Sequence, residues 1–427
     1  MDRMINPVEW SKRANLYEVN IRQFTPEGTL NAFREHIPRL HAMGVDTIWI
    51  MPVQPIGKVN RKGSLGSYYS ISDYTAMNPE FGNLGDFCAL VNDTHQLGMK
   101  VLLDWVANHT AWDHVWTKSH PEFYRHDENN HFESPWDWTD VIALDYNNRE
   151  MRQHMIDAMA FWLKETGIDG FRCDMAGMVP VDFWEEARQI LDPDRKLFML
   201  AEDENMLELL NEAFDMNFTW EMHHLMNAVA RGERTASDIW GKYHEYTVRY
   251  SPFAYRMYFT SNHDENSHSG STVERLGDVA PAFSVLTYLL PGMPLTYSGQ
   301  ETANRNRIPF FEKAAIDWSS LPFEKLYKTL NETKRDNKAL WCGPFGGDMV
   351  NLNQDQNDKV FAAKRELGDN LLIGVLNLSN ESQQFTMDHD RLAGKYRDVF
   401  TGEDYYPGLG FTFELEPWSY VLLVRQA

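Results

Sequence analysis

Short apolar runs alternate with helical stretches over about the first 300 residues of the chain. The apolar runs, each of a length typical of a strand, cover residues 16–24, 45–53, 100–107, 168–175, 196–203, 214–218, 255–262 and 293–299. Between them, residues 29–44 and 149–167 place apolar side chains at helical spacing, and each stretch finishes on a glycine that can end a helix. This alternation predicts a parallel sheet wrapped by helices, and eight strands predict a closed (β/α)8 TIM barrel.

Two stretches interrupt this rhythm. Residues 108–146 show no long helix or strand pattern but are rich in tryptophan, and a loop of this length is usually functional. After residue 343 the pattern changes to alternating strands with Gly, Asn and Asp in the turns. We therefore predict a barrel domain at residues 1–107 and 147–343, an excursion domain after strand 3 at residues 108–146, and a C-terminal antiparallel β-sandwich at residues 344–427.

Composition narrows the choice of partner. The chain has 427 residues and a formal charge of -22, which argues against nucleic acid or an anionic membrane as a partner, whereas a neutral substrate is not repelled. The three cysteines, Cys88, Cys173 and Cys342, are scattered and are predicted to be buried thiols. No secretory signal or membrane span is evident, so a cytoplasmic protein is expected, or a periplasmic or secreted one if a leader was removed. The oligomeric state stays open.

Three acidic residues follow or end successive strand-like runs. They are Asp174 in GFRCDM, Glu202 in FMLAED and Asp264 in FTSNHD. An acid at the carboxyl end of a buried strand is costly to desolvate unless it is paired or used, and this end of a (β/α)8 barrel carries the chemistry. We therefore expect the three acids to share one pocket. Taken singly, Asp174 also fits a structural ion pair with Arg172, Glu202 a surface acid and Asp264 a helix cap.

Four motifs in order give the chain a family resemblance. The segments DWVANH at 104–109, GFRCD at 170–174, AED at 201–203 and SNHD at 261–264 resemble the conserved motifs of the alpha-amylase family of glycoside hydrolases. The resemblance implies that Asp174 is the nucleophile, Glu202 the general acid and base, and Asp264 the acid that stabilises the distorted sugar. A retaining hydrolase needs two such carboxylates about 5 to 5.5 Å apart, one ionised and one protonated.

The resemblance also implies a set of residues that bind the sugar. His109 and His263 are expected to hydrogen-bond to hydroxyls, because neutral imidazole both donates and accepts. Tyr69 is expected to stack on a glucose ring, with its neighbour Tyr68 as the competing choice. Arg172, two residues before Asp174, shares its strand face and is expected to keep it ionised.

The sequence does not define a complete metal site. In many relatives a structural calcium uses an asparagine at the position of Asn108 and an aspartate near Asp145. Calcium takes six to eight oxygen ligands, and two matched positions fall short of that number, so the metal ligands stay unknown. The expected chemistry itself requires no cofactor.

The excursion segment contains the aromatic side chains that are expected to meet a glucan. These are Trp136 and Trp138, which flank a polar turn.

The segment after the nucleophile departs from the family pattern. Many starch-cleaving relatives have lysine and histidine where this chain has Gly177 and Met178, and Met175 matches neither the residue typical of α-1,6 cleavage nor the one typical of α-1,4 cleavage. The preference for α-1,4 bonds therefore follows only from the habit of the majority of the family.

These observations predict a retaining α-glucoside hydrolase that acts on α-1,4-linked glucans or maltooligosaccharides. A transglycosylase, glucanotransferase or glucosyl isomerase with the same covalent intermediate is the alternative, since it differs only in the acceptor. A noncatalytic carbohydrate-binding relative is the remote alternative, because such proteins usually lose one or more of the acids that this chain retains.

Overall fold

The computed structural model describes residues 7–194, 196–353, 357–387 and 392–426. The strands before residue 300 are β1 Leu16–Val19, β2 Thr47–Ile50, β3 Lys100–Val106, β4 His109–Ala111, β5 Val141–Ala143, β6 Gly170–Asp174, β7 Phe198–Ala201, β8 Met216–Phe218, β9 Tyr255–Phe259 and β10 Met293–Tyr297. The α-helices are α1 Ile21–Phe24, α2 Leu30–Arg34, α3 Ile37–Ala42, α4 Leu84–Gln96, α5 Val115–Ser119, α6 Arg149–Thr166, α7 Val181–Leu191, α8 Leu209–Glu212, α9 Trp220–Ala230, α10 Ala236–Arg249, α11 Thr272–Leu276, α12 Ala280–Leu289 and α13 Glu324–Asp336.

Eight of these strands form the predicted closed barrel. Their order around the barrel is β1-β10-β9-β8-β7-β6-β3-β2, with parallel pairing. Nearly every residue of these strands is buried, as expected for strands covered on both faces. The apolar runs in the sequence therefore correspond to the barrel strands, and the predicted fold class is confirmed.

Two local predictions are wrong in detail. The first predicted strand, residues 16–24, stops at Val19, and Ile21–Phe24 forms the short helix α1. The single helix predicted over residues 29–44 is two helices, α2 and α3, because Pro38 lies in the first turn of α3 and its ring has no N–H to continue the preceding turn. The helix predicted at 149–167 is confirmed as α6, which ends at Gly167 with a left-handed φ of 72°.

The C-terminal strands form two antiparallel sheets. They are β11 Asp348–Asn351, β12 Val360–Leu367, β13 Asn370–Asn377, β14 Gln383–Met387, β15 Tyr396–Asp398, β16 Asp404–Tyr405, β17 Phe411–Leu415 and β18 Tyr420–Arg425. One sheet has the order β11-β12-β13-β18-β15-β16, and β14 pairs with β17 in the other. Side chains from both sheets share one apolar core that includes Ile373, Phe385, Tyr396 and Phe413. This is the sandwich that the sequence predicted.

The chain separates into two compact units. The first consists mainly of Tyr17–Phe218 with Ile308–Ile316, and the second contains Glu9–Leu16, Thr219–Arg307 and the chain after Asp317. The first unit includes strands β2 to β8 and the whole segment 108–146, where β4 pairs with β5. The three domain boundaries drawn from the sequence stay predictions.

Two further expectations concern the chain as a whole. All three cysteines are free thiols, and Cys173 and Cys342 are buried as predicted. Cys88 is only partly buried, because it does not belong to the buried face of α4. Among the described residues, no helix is both long and apolar enough to cross a bilayer.

Candidate active site

A buried arginine gathers carboxylates from three neighbouring strands of the first unit. Arg172 and Asp174 lie on β6, Asp104 lies opposite Arg172 on β3, and Glu202 directly follows β7. One guanidinium nitrogen, Nη1, lies 2.9 Å from Asp104 Oδ1 and 3.0 Å from Asp174 Oδ1, and Nη2 lies 2.8 Å from Glu202 Oε2. Parallel pairing in register thus brings the three acids to one cation.

The buried acids around Arg172 determine its pKa. Arg172 and Asp104 are fully buried, and Asp174 and Glu202 are 7% and 8% exposed. Burial lowers the pKa of Arg172, but the negative charges around it, those of Asp104 and Glu202 first, outweigh this effect and raise its pKa well above its ordinary value. Arg172 is therefore a permanent cation at the centre of the three acids.

Glu202 accepts a backbone hydrogen bond and pairs with a cation in this arrangement. Its Oε2 receives the Met175 backbone N–H at 3.0 Å, in addition to the Arg172 contact. Met175 has a φ of 44°, an uncommon conformation for a residue other than glycine. The strained turn directly after Asp174 therefore aims a backbone donor at Glu202, and Glu202 is not the surface acid that it could have been from sequence alone.

Asp104 is the site residue that the sequence analysis did not single out. Its Oδ2 accepts the Trp49 indole N–H and the Tyr69 hydroxyl, both at 3.0 Å, while its Oδ1 accepts from Arg172. The signal was present in the run KVLLDWV, where one aspartate interrupts an otherwise apolar strand. A buried acid in such a position needs partners, and these three donors supply them.

The structure distinguishes Tyr69 from Tyr68. The Tyr69 ring lies 5.7 Å from the Arg172 guanidinium and stacks on Phe310 with centroids 6.1 Å apart. The Tyr68 hydroxyl instead donates to Asn20, away from the carboxylate cluster. Of the two tyrosines, Tyr69 is thus the one that contacts the cluster, and its role as a stacking platform stays a prediction.

His109 is buried beside the same cluster. Burial lowers its pKa to about 4, although Asp140, a backbone hydrogen bond with Tyr69 and the charge of Glu202 raise it. Its imidazole is therefore neutral at pH 7 and can donate one hydrogen bond and accept another. The Trp138 ring lies edge-on to it at 5.5 Å between centroids.

The second unit carries the other two predicted site residues. Asp264 and His263 follow β9, and His263 Nε2 lies 3.3 Å from Asp264 Oδ2. Asp264 precedes a π-helical turn, Glu265–Ser269, but its side chain makes no capping hydrogen bond to that turn. The turn is fixed instead by His223, whose Nε2 lies 3.0 Å from Glu265 Oε2. π-helical turns occur often at functional sites.

Asn108 and Asp145, the two positions that match calcium ligands of relatives, both contact neighbouring side chains. Asn108 and Asp145 line one cavity, but the Asn108 amide contacts His109 Nδ1 at 3.2 Å, and Asp145 Oδ1 accepts from the backbone and side chain of Asn147. The described residues contain no cluster of three or more His, Cys, Asp or Glu side chains suited to a metal. The metal ligands stay unknown, and no step below depends on calcium.

The departure at position 177 has a structural counterpart. A Cβ atom added to Gly177 would lie 2.1 Å from Asp203 Oδ2. Asp203 is itself fixed, because its Oδ1 accepts the backbone N–H groups of Asn205 and Met206. The carboxylate of Asp203 therefore fills the space that a side chain at position 177 would need.

Comparison with known proteins identifies the family to which most of the chain is similar. The family model described as "Alpha amylase, catalytic domain" matches residues 9–141 and 126–342. Alpha-amylase MalA of Haloarcula japonica is 26% identical over 91% of this chain, and an alpha-1,4-glucan:maltose-1-phosphate maltosyltransferase of Rhodospirillum rubrum is 34% identical over 37% of it. The chain spans 59% of the length of the first relative and 26% of the second.

A solved structure agrees with the sequence comparison. The crystal structure of an alpha-amylase from Lactobacillus plantarum superposes with a TM-score of 0.87 at 27% identity, covering 98% of this chain and 100% of the other. The similarity therefore extends over both the barrel and the C-terminal sheets.

Proposed function

The chain belongs to the alpha-amylase family of glycoside hydrolases, and from this premise we propose that it is a retaining α-glucoside hydrolase of α-1,4-linked glucans or maltooligosaccharides. One observation carries the proposal: a single buried guanidinium contacts both Asp174 and Glu202. Two carboxylates on one cation are close neighbours, which is the arrangement that retention of configuration requires. The alpha-amylases among the relatives support the substrate class.

In the first half of the proposed reaction, Asp174 attacks the anomeric carbon while protonated Glu202 gives its proton to the leaving oxygen. The glycosidic bond breaks as the bond to Asp174 forms, and the leaving sugar departs with a new hydroxyl group. Arg172 assists because its charge keeps the Asp174 carboxylate ionised and ready to attack.

In the second half, Glu202 takes a proton from water, which attacks the same carbon and releases Asp174. The hydrogen bond from the Met175 backbone N–H and the Arg172 contact suit the ionised form of Glu202 that this step needs. We assign Asp264 as the third acid, which stabilises the distorted sugar, on the resemblance of its SNHD motif.

The sugar-binding roles follow the same proposal. We assign Tyr69 as the stacking platform, and His109 and His263 as hydrogen-bond partners of hydroxyls. The neutral state of His109 at pH 7 supports its part, because a hydroxyl can both donate to imidazole and accept from it.

Loss of either reacting carboxylate tests the proposal. Asp174→Asn and Glu202→Gln should each lower kcat for maltoheptaose by about a thousandfold or more, whereas the surface variant Asp404→Asn should retain full activity. Proton NMR of the first product should show the α-anomer. Undiminished hydrolysis in either variant, or an initial β-anomer, would show that the assignment is wrong.

Transfer to a sugar acceptor is the second candidate. The maltosyltransferase relative favours it, because it matches this chain at a higher identity than the amylase does, although over a shorter part. Chromatography of products from maltotriose, alone and with added glucose, separates the two reactions. Products longer than maltotriose indicate transfer, and only glucose and maltose indicate hydrolysis.

A further inference from the structure

A buried histidine on α9 supports the turn that follows Asp264 in the second unit. His223 is 1% exposed, and its Nε2 lies 3.0 Å from Oε2 of Glu265, the first residue of the π-helical turn. We propose that His223 is a positioning residue for Asp264, which it holds in place through Glu265, an inference that rests on the proposed function.

Asp264 takes its position from the backbone around it. Its side chain is 37% exposed, so close packing does little to fix the carboxylate. The next residue, Glu265, is fixed at both ends, because its backbone N–H donates to Asn262 Oδ1 at 2.8 Å and its carbonyl accepts the Gly270 N–H at 2.9 Å. The carboxylate contact with His223 adds a third attachment, to a different helix. Any displacement of Glu265 therefore displaces Asp264.

The protonation of the pair suits a hydrogen bond from His223 to Glu265. Burial lowers the pKa of His223, although the contact with Glu265 opposes this, so its imidazole is neutral at pH 7. Burial raises the pKa of Glu265, but the hydrogen bond with His223 and the charge of Arg275 outweigh it and lower this pKa below its ordinary value. An ionised carboxylate only accepts, so the imidazole proton that serves this contact lies on Nε2.

Arg275 holds the two ends of the same segment. Its Nη2 donates to the Thr260 carbonyl at 2.6 Å, and its Nε donates to the Gly270 carbonyl at 2.8 Å. Its Nη1 donates to Asn227 Oδ1 at 2.7 Å, and the Asn227 amide donates in turn to the His223 carbonyl at 3.0 Å. One network thus connects both ends of the segment that carries the third acid with the helix that carries His223.

The His223 ring is itself held in one orientation. It stacks on Phe259 with centroids 4.7 Å apart and an angle of 10° between the rings. Phe259 is the last residue of β9, the strand that leads into the segment of Asp264. An imidazole packed in this way can leave Glu265 only by giving up the stack, so it makes a rigid support.

The kinetics of His223 variants test the inference at a temperature where each variant is folded. His223→Ala should lower kcat for maltoheptaose at least about tenfold, because a small misplacement of a reacting group is costly, and should leave KM within about threefold. His223→Gln should retain at least about half of kcat, since its amide N–H can replace Nε2–H as a donor to Glu265.

The matched control is His244→Ala, which removes an exposed histidine of α10 in the same unit. It should leave kcat and KM unchanged. A His223→Ala variant as active as this control, a loss expressed only in KM, or a glutamine variant no better than the alanine variant would overturn the inference.

Coupling to Asp264 separates a positioning role from a purely structural one. Asp264→Asn should lower kcat at least about a hundredfold, and adding His223→Ala should lower it by no more than about twofold further, because the carboxylate to be positioned is already absent. A tenfold loss that persists in this background, or full activity of Asp264→Asn alone, would overturn the inference. Failure of the proposed hydrolysis is a separate outcome, which activity of Asp174→Asn would reveal.

Discussion

Replacement of Asp104 by asparagine probes the centre of the cluster. Asp104 is fully buried and accepts three hydrogen bonds, from Trp49, Tyr69 and Arg172. Asparagine keeps the shape but removes the charge, and it places an N–H₂ group against donors that contacted a carboxylate oxygen. At least one donor therefore loses its acceptor.

The magnitude follows from these contacts. A hydrogen bond to a charged group contributes about 1.5 to 3 kcal/mol, and a buried donor without a partner costs about 1 to 3 kcal/mol. Arg172 keeps Asp174 and Glu202, so the larger penalty for an uncompensated buried charge does not apply in full. We expect Asp104→Asn to lower the free energy of unfolding by about 3 kcal/mol.

Urea unfolding followed by tryptophan fluorescence measures this loss. Asp404→Asn is the matched control, because Asp404 pairs with Lys395 and Arg397 at a side chain that is 30% exposed. A surface pair of this kind contributes little to stability, because solvent and salt screen the two charges. Equal effects of the two variants would refute the reasoning.

The catalytic effect of Asp104→Asn distinguishes a role in positioning the site residues from a role in stability alone. Tyr69 and Arg172 lose an anchor in this variant, so kcat/KM for maltoheptaose should fall at least about tenfold at a temperature where the variant is fully folded. A double-mutant cycle with Arg172→Met should show coupling of about 1 kcal/mol or more, because the two side chains contact directly. Additive effects would place the two residues in separate networks.

Two other changes should affect stability in predictable ways. Gly170→Ala should lower the free energy of unfolding by more than about 3 kcal/mol, because φ is 153° and the added Cβ would lie 1.9 Å from the Phe198 carbonyl oxygen. Gly98→Ala, where no atom lies within 4 Å of the added Cβ, should lower it by about 1 kcal/mol, and thermal unfolding measures both. Burial lowers the pKa of His109 to about 4 and that of His114 to about 3, so the unfolded chain takes up protons below pH 6.5 that the folded chain excludes. Stability should therefore fall as pH drops from 6.5 towards 4, by about 2 kcal/mol per histidine at pH 5; a melting temperature constant between pH 7 and 4.5 would contradict this.

The barrel was predictable because its strands are buried on both faces. Runs such as those around Trp49 and Phe171 are continuous and apolar, and each acid that ends one of them stands out. The pairing of Arg172 with Asp174 also followed from strand alternation, since residues two apart share a face.

The remaining features depend on distant partners. Helix α1 differs from the predicted strand because Gln23 donates to the carbonyls of Pro309 and Glu312, which lie nearly 300 residues away. Asp104 gave a signal in its strand, but its donors Trp49 and Tyr69 come from other segments, and no pattern within KVLLDWV names them. Local periodicity predicts elements, whereas such long-range contacts decide their ends and their partners.

The close approach of Asp203 to Gly177 couples these two positions at this edge of the barrel. A side chain added at position 177 requires the Asp203 side chain to rotate away or to be shorter, since both cannot occupy the same volume. Asp203 in turn tethers the two backbone groups that follow it. A side chain at position 177 is therefore accommodated only if the Asp203 carboxylate leaves this position and gives up its two backbone hydrogen bonds.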